Sequence, residues 1–145
     1  MTKSLQLKQD SGRPELLFVY GTLMSGQRLH KHLAERPGVR YMGTARMRGE
    51  LYRPLGRRYP GAVRTERRGR HILGELYELR QPAQTLPALD RLEGCDEGLF
   101  TREQVTVSHR AGKRRAWTYL YAKPLANAEP ILRGNFAQYA SATSK

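Results

Sequence analysis

Apolar residues in this chain come only in short runs. The longest, Leu16-Leu17-Phe18-Val19-Tyr20, stops at Gly21, and later runs are cut within a few residues by glycine, proline or a charge. Short apolar, aromatic and β-branched runs bounded by turn formers read as strands. By that signal strands are expected at 16–20, 41–52 with bends at Gly43 and Gly49, 62–66, 71–79, 101–109 and 116–122. Helical spacing appears at 27–35 through Leu29, His30 and Leu33, at 82–93, and at 129–140. The middle helix is expected to be capped by Thr85, to carry Pro87 in its first turn and to end at Gly94. Residues 110–115 link the two last strands as a hairpin. Many strands, few helices and mostly local connections predict an α+β domain, a small bent mixed β-sheet closing toward a barrel with two or three short helices. A doubly wound sheet would need helices alternating with strands throughout, and they do not.

A chain of 145 residues fits one domain. Residues 1–14 are polar, lack a period and end in Pro14, so a disordered N-terminal tail is expected, followed by the domain at 15–126 and a C-terminal extension at 127–145 that includes the last helical stretch. No segment approaches the ~20 apolar residues of a membrane helix, and no secretory pattern is present. A single cysteine, Cys95, forbids an internal disulfide, and the four histidines show no ligand spacing, so no metal and no cofactor is expected. A reducing, cytoplasmic location follows as the expectation. The tetrapeptide Gly-Glu-Leu-Tyr occurs at 49–52 and 74–77, which two strands with one alternation explain.

The formal net charge is +13, and eleven arginines fall between Arg36 and Arg70 against Glu50 and Glu66. A basic segment of this kind attracts phosphates or nucleic acid through counterion release. Scattered along strands and loops, it reads better as a solvated surface, and nucleic acid is disfavoured.

Three groups of residues could carry chemistry. A strand that ends in Tyr20-Gly21-Thr22-Leu23 exposes successive backbone N–H groups, which either make an ordinary turn or hold an anion. Steps of three and four put Leu86, Leu89, Asp90 and Glu93 on one helical face, so Glu93 continues an apolar stripe at a helix C-terminus. Burial and the helix dipole would raise its pKa and suit it to general acid and base work. The competing reading is a glutamate that reaches water or pairs with Arg91 or Arg102. Trp117, Tyr119 and Tyr121 alternate along one strand and share a face, as core or as a pocket wall with a hydroxyl reaching in.

Taken in order, Leu17-Phe18-Val19-Tyr20-Gly21-Thr22-Leu23, Gly26-Gln27 with His30, Tyr59-Pro60-Gly61-Ala62-Val63, Gly74-Glu75-Leu76-Tyr77, Leu89-Asp90-Arg91-Leu92-Glu93-Gly94, Arg102 and Trp117-Thr118-Tyr119 resemble the γ-glutamylcyclotransferase-like family, in particular its short γ-glutamylamine cyclotransferase-like branch. The resemblance spans about residues 16–123. It implies a barrel-like α+β fold and an enzyme that cyclises a small γ-glutamyl amide to 5-oxoproline and releases an amine, without cofactor. Carried onto this sequence, the backbone N–H groups of Tyr20, Gly21, Thr22 and Leu23 would hold the substrate carboxylate, Tyr119 would line the site, and Glu93 would be the general base and acid. Two positions depart: Leu29 stands where relatives often carry Asn, and Phe100 where they often carry Tyr. A non-catalytic binder of the same fold and a basic protein using its 36–70 arginines for phosphate or nucleic acid are the alternatives.

Overall fold

A computed structural model describes residues 13–143. Eight strands alternate with few helices in the order β1 (Glu15–Val19), α1 (Lys31–Ala34), β2 (Val39–Arg48), β3 (Glu50–Arg53), β4 (Gly61–Val63), β5 (His71–Leu79), α2 (Pro82–Leu92), a 3-10 turn (Cys95–Glu97), β6 (Phe100–His109), β7 (Gly112–Tyr121), β8 (Glu129–Pro130) and α3 (Phe136–Thr143). The expected α+β class with a bent mixed sheet is the one found.

Five strands close on themselves. The hydrogen-bonded order β1-β5-β2-β6-β7 returns to β1 through a parallel pairing of Leu17 with Trp117. The remaining pairings along this ring are antiparallel, and a bulge between Tyr41 and Gly43 bends β2 where it passes β5. Closure leaves these five strands without an exposed edge among themselves. Leu17, Phe18, Met47, Ile72, Leu76, Leu79 and Val107 are all essentially inaccessible to solvent, so both faces of the closed sheet are covered. The hydroxyl of buried Thr118 donates to the carbonyl of Phe18 at 2.9 Å, so even the polar side chain at the seam is satisfied. A flap continues from β7: β4 runs parallel to it, β3 pairs with β4, and β8 pairs with β3.

Several element boundaries differ from the sequence expectation. The helix expected over 27–35 shrinks to Lys31–Ala34, because the preceding residues form consecutive turns, with Met24 N–H on Gly21 O and Gln27 N–H on Met24 O. Thr85 is not a cap. The helix α2 starts at Pro82, where a proline lacks only an N–H that would be unpaired anyway, so Thr85 is buried inside it and Pro87 falls in its interior. The strand expected over 62–66 covers only Gly61–Val63. Strands β6 and β7 extend to within two residues of each other, so the hairpin turn is tighter than 110–115. The helix expected over 129–140 is Phe136–Thr143, and Glu129–Pro130 instead add an edge strand.

The segment before α3 is fastened to the sheet by Ile131 N–H on Leu51 O and by Leu73 N–H on Gly134 O, both 2.8 Å. Ile131 and Phe136 are buried in the same core as the barrel. The tail expected at 1–14 lies outside the described residues except for Arg13 and Pro14. Among the described residues no helix is long and apolar enough to cross a membrane.

Candidate functional site

The barrel seam also assembles the site. Tyr20 follows β1 directly, and its buried hydroxyl donates to the carbonyl of Tyr119 at 2.6 Å while accepting the N–H of Ala62 at 3.1 Å. One phenol thus joins β1, β7 and β4. Burial, with the nearby Glu93 charge adding to it, holds its pKa far above the ordinary tyrosine value, so it stays protonated. Beyond it, Gly21 to Leu23 turn under the loop that carries Tyr59 and Pro60. A Cβ on Gly21 would lie 2.7 Å from Cγ and 2.9 Å from Cδ of Pro60, so only glycine permits this approach. Carbonyls of the turn are used, by Met24 N–H on Gly21 O at 3.0 Å and Leu29 N–H on Thr22 O at 2.9 Å. The N–H groups of Gly21, Thr22 and Leu23 donate to none of these turn bonds.

The far end of this loop is held as firmly. Glu75 on β5 accepts the N–H of Ser25 at 2.8 Å, the Ser25 hydroxyl, and the Tyr77 hydroxyl at 2.9 Å. His30 Nδ1 donates to Leu23 O at 2.8 Å. Glu75 thus fastens the loop to β5, and the sequence marks it only through its Gly-Glu-Leu-Tyr tetrapeptide. A carboxylate on a strand beside β1 was the available signal.

Glu93 caps the C-terminus of α2, and left-handed Gly94 turns the chain away behind it. Its carboxyl is mostly buried and forms no ion pair among the described residues. Arg102 is taken by Asp90, at 2.7 and 3.2 Å in a two-pronged pair, which removes one of the two arginines expected to compete for Glu93. Burial raises the Glu93 pKa to about 7, with Arg28 pulling the other way. The helix C-terminus acts in the same direction as burial.

Tyr20, Gly21, Thr22, Leu23, Tyr119 and Glu93 all line one small hollow. Tyr59, Pro60 and Phe100 complete its wall. Tyr119 is buried and donates to Asp90 Oδ1 at 2.8 Å, so its hydroxyl is committed and its ring forms the wall. The stripe it belongs to divides: Arg102 stacks 4.3 Å over the half-buried Trp117 ring, while Tyr121 packs edge-on against Phe100. Tyr59 was named in the sequence reading only for its motif, and Pro60 likewise.

Other candidates do not converge. Cys95 has its thiol pushed up to about 11 by burial and by the neighbouring Asp90 and Glu93, away from nucleophilic use. His109 bonds the carbonyl of Met42, and His71 lies on a separate, wider groove with Arg46, Arg70 and Arg133. That groove is larger than the hollow at Glu93, and the carboxylate that lines it, Glu50, is held below the ordinary glutamate value by a hydrogen bond from Thr65 and by Tyr52, Arg67 and Arg70. No group of three or more metal-ligating side chains occurs among the described residues.

The fold recurs among known proteins. Residues 17–138 match the sequence profile of the family described as "Gamma-glutamyl cyclotransferase, AIG2-like". The chain is 34% identical over 128 residues to the gamma-L-glutamyl-butirosin B gamma-glutamyl cyclotransferase of Niallia circulans, covering 85% of this chain and 74% of that one. Its fold is similar to that of YkqA from Bacillus subtilis, with a TM-score of 0.68 at 27% identity over 92% of this chain but only 44% of YkqA. It is also similar to an AIG2-like protein from Mus musculus, with a TM-score of 0.68 at 21% identity over 86% of this chain and 88% of that one. With a match that runs from the first core strand to the last helix, the chain belongs to the AIG2-like γ-glutamyl cyclotransferase family.

Proposed function

We propose that the protein cyclises a small γ-glutamyl amide to 5-oxoproline and releases the amine. The observation that carries this reading is a largely buried carboxyl, without an ion pair among the described residues, lining one hollow with a turn whose Gly21, Thr22 and Leu23 N–H groups are unused by its own turn bonds; burial that raises the carboxyl pKa to about 7 supports it. Those N–H groups suit the α-carboxylate of a glutamyl group. Holding both ends of that group bends it so that its own α-nitrogen meets its γ-carbonyl, and the reaction is intramolecular.

The chemistry then needs one proton carrier. Glu93 takes a proton from the α-ammonium, and the freed lone pair attacks the γ-carbonyl carbon, whose π electrons move to oxygen. The intermediate collapses as that electron pair re-forms the carbonyl. The bond to the leaving nitrogen breaks, and Glu93 returns the proton to that nitrogen. The ring nitrogen then gives its second proton to the freed Glu93 carboxylate, which passes it to the departing amine, so the lactam keeps one hydrogen and the amine leaves as an ammonium. A carboxyl balanced near neutrality serves both directions.

The test is a panel of γ-glutamyl amines, γ-glutamyl amino acids and glutathione, with 5-oxoproline release as the readout. Release from at least one member is expected. In kcat/KM an acid limb centred near the Glu93 pKa of about 7 should appear, because the reaction starts from the carboxylate. Below it the rate should fall about tenfold per pH unit. Binding without release across the panel would overturn the assignment in favour of a non-catalytic relative.

The loop makes its own forecast. Gly21→Ala would drive a methyl into the rigid Pro60 ring and displace the turn. A shift of about 1 Å in a positioning element lowers kcat/KM by about 100-fold. Steady-state kinetics on the best panel substrate measure it, and an unchanged kcat/KM would remove this turn from substrate binding.

A further inference from the structure

We propose that the hydroxyl of Tyr59 donates a hydrogen bond to the γ-carbonyl oxygen of the bound substrate and steadies the negative charge that gathers there during ring closure. This inference rests on the cyclotransferase reading and extends it to a residue so far given no role.

Three phenols line the hollow, and their bonding differs. Tyr20 Oη is held by Tyr119 O and Ala62 N–H, and Tyr119 Oη is held by Asp90. Tyr59 Oη is buried and has no protein partner, the one such side-chain polar atom among the described residues. Buried hydroxyls are hydrogen-bonded as a rule, because an unmade bond in a dry environment is costly. An orphan of this kind, in the wall of a hollow that also holds Glu93, is a donor kept for a ligand. Its ring is fixed by Phe100, with centroids 5.8 Å apart, and Phe100 is fixed in turn by Tyr121 at 5.4 Å. The following Pro60 is wedged over Gly21. A donor this constrained needs little reorganisation when charge develops.

The substrate has three polar ends inside the hollow. The turn N–H groups match the carboxylate, Glu93 handles the two nitrogens, and the carbonyl oxygen is left without a donor from either. Burial also holds the phenol above the usual tyrosine range, with Arg57 opposing, so it is a neutral donor at working pH. No proton need leave it: the hydrogen bond strengthens as the carbonyl becomes an oxyanion and relaxes when the amine departs.

The experiment is Tyr59→Phe in the full chain, which removes one oxygen and keeps the ring. With a panel substrate that the unaltered protein turns over, kcat should fall about 100-fold while KM changes little, the pattern of an interaction made mainly in the transition state. Thermal unfolding should be unchanged or shifted upward, since an unpaired buried hydroxyl has been deleted. A purely structural tyrosine would give the same unfolding result with kcat intact, and that outcome overturns the proposal while leaving the cyclotransferase reading standing. Absence of 5-oxoproline release by the unaltered protein across the whole panel overturns both, and is told apart because no variant is needed to see it.

Discussion

Glu93→Gln is expected to end 5-oxoproline release while making the protein more stable above neutral pH. The amide keeps the size of the side chain and some of its hydrogen bonding, but it can neither take nor return a proton. Loss of a positioned acid and base slows reactions about 10²–10⁴-fold, and the single carboxyl here serves both transfers, so the upper end of that range is expected. Stability moves the other way. In the folded protein the Glu93 pKa is raised from 4.5 to about 7, so between those values the folded state binds more protons than the unfolded one. Stability is therefore fully present below about pH 4.5, declines as pH rises through the folded pKa of about 7, and is flat beyond. A shift of this size corresponds to about 3 kcal/mol at most. The Gln variant escapes the loss, so its melting temperature should exceed that of the unaltered protein by several degrees at pH 8 and match it near pH 4.5. Paired melts at the two pH values and turnover assays check both halves. A variant that still turns over removes Glu93 from the chemistry; one equally stable at pH 8 means the carboxyl is not buried as described.

Asp90→Ala should be among the most damaging single substitutions in the molecule. Asp90 accepts from both prongs of Arg102 and from Tyr119, and its side chain and that of Arg102 are 27% and 23% exposed. At that burial the pair is outside the class of surface ion pairs that contribute little. Truncation leaves a guanidinium over Trp117 with no counter-charge and a buried phenol with no acceptor. Removing one partner of such a group costs about 3–5 kcal/mol when burial is complete, and about 2–4 kcal/mol is expected here. Asp90→Asn, which retains an acceptor for Tyr119, should lose about half as much. Denaturant melts give the stability change, and 5-oxoproline assays should show reduced rate in both variants, because the Tyr119 ring forms a wall of the hollow. Equal stability of the Ala variant and the unaltered chain would show that the network contributes nothing.

What could be read from residue order alone was the local part. Period-two alternation placed β5 at its observed limits, and the glycines at 43 and 49 marked the bulge and the break between β2 and β3. The step pattern from Leu86 to Glu93 placed the carboxyl on the apolar stripe of α2, where it is largely buried. Non-local pairings were illegible. Nothing at position 90 announces Arg102, which arrives from β6, and nothing in Tyr20 announces the carbonyl of Tyr119, 99 residues on. Helices were misjudged where backbone turns outcompeted periodicity. Residues 21–30 run through successive short turns, with Met24, Gln27, Leu29 and His30 as donors, before α1, and Pro130 and Gly134 delay α3 until Phe136. The Tyr59 hydroxyl was invisible because a missing partner can be noticed only once the neighbours are known.

The parallel contact of Leu17 with Trp117 is made by two segments at opposite ends of the barrel sequence. A chain still leaving the ribosome therefore carries the Tyr-Gly-Thr-Leu turn for most of its synthesis without the strand to which its tyrosine is fastened. The turn and the Glu93 carboxyl come into register only when the seventh strand has emerged, which ties the site to completion: no fragment that ends before Trp117 has the hollow.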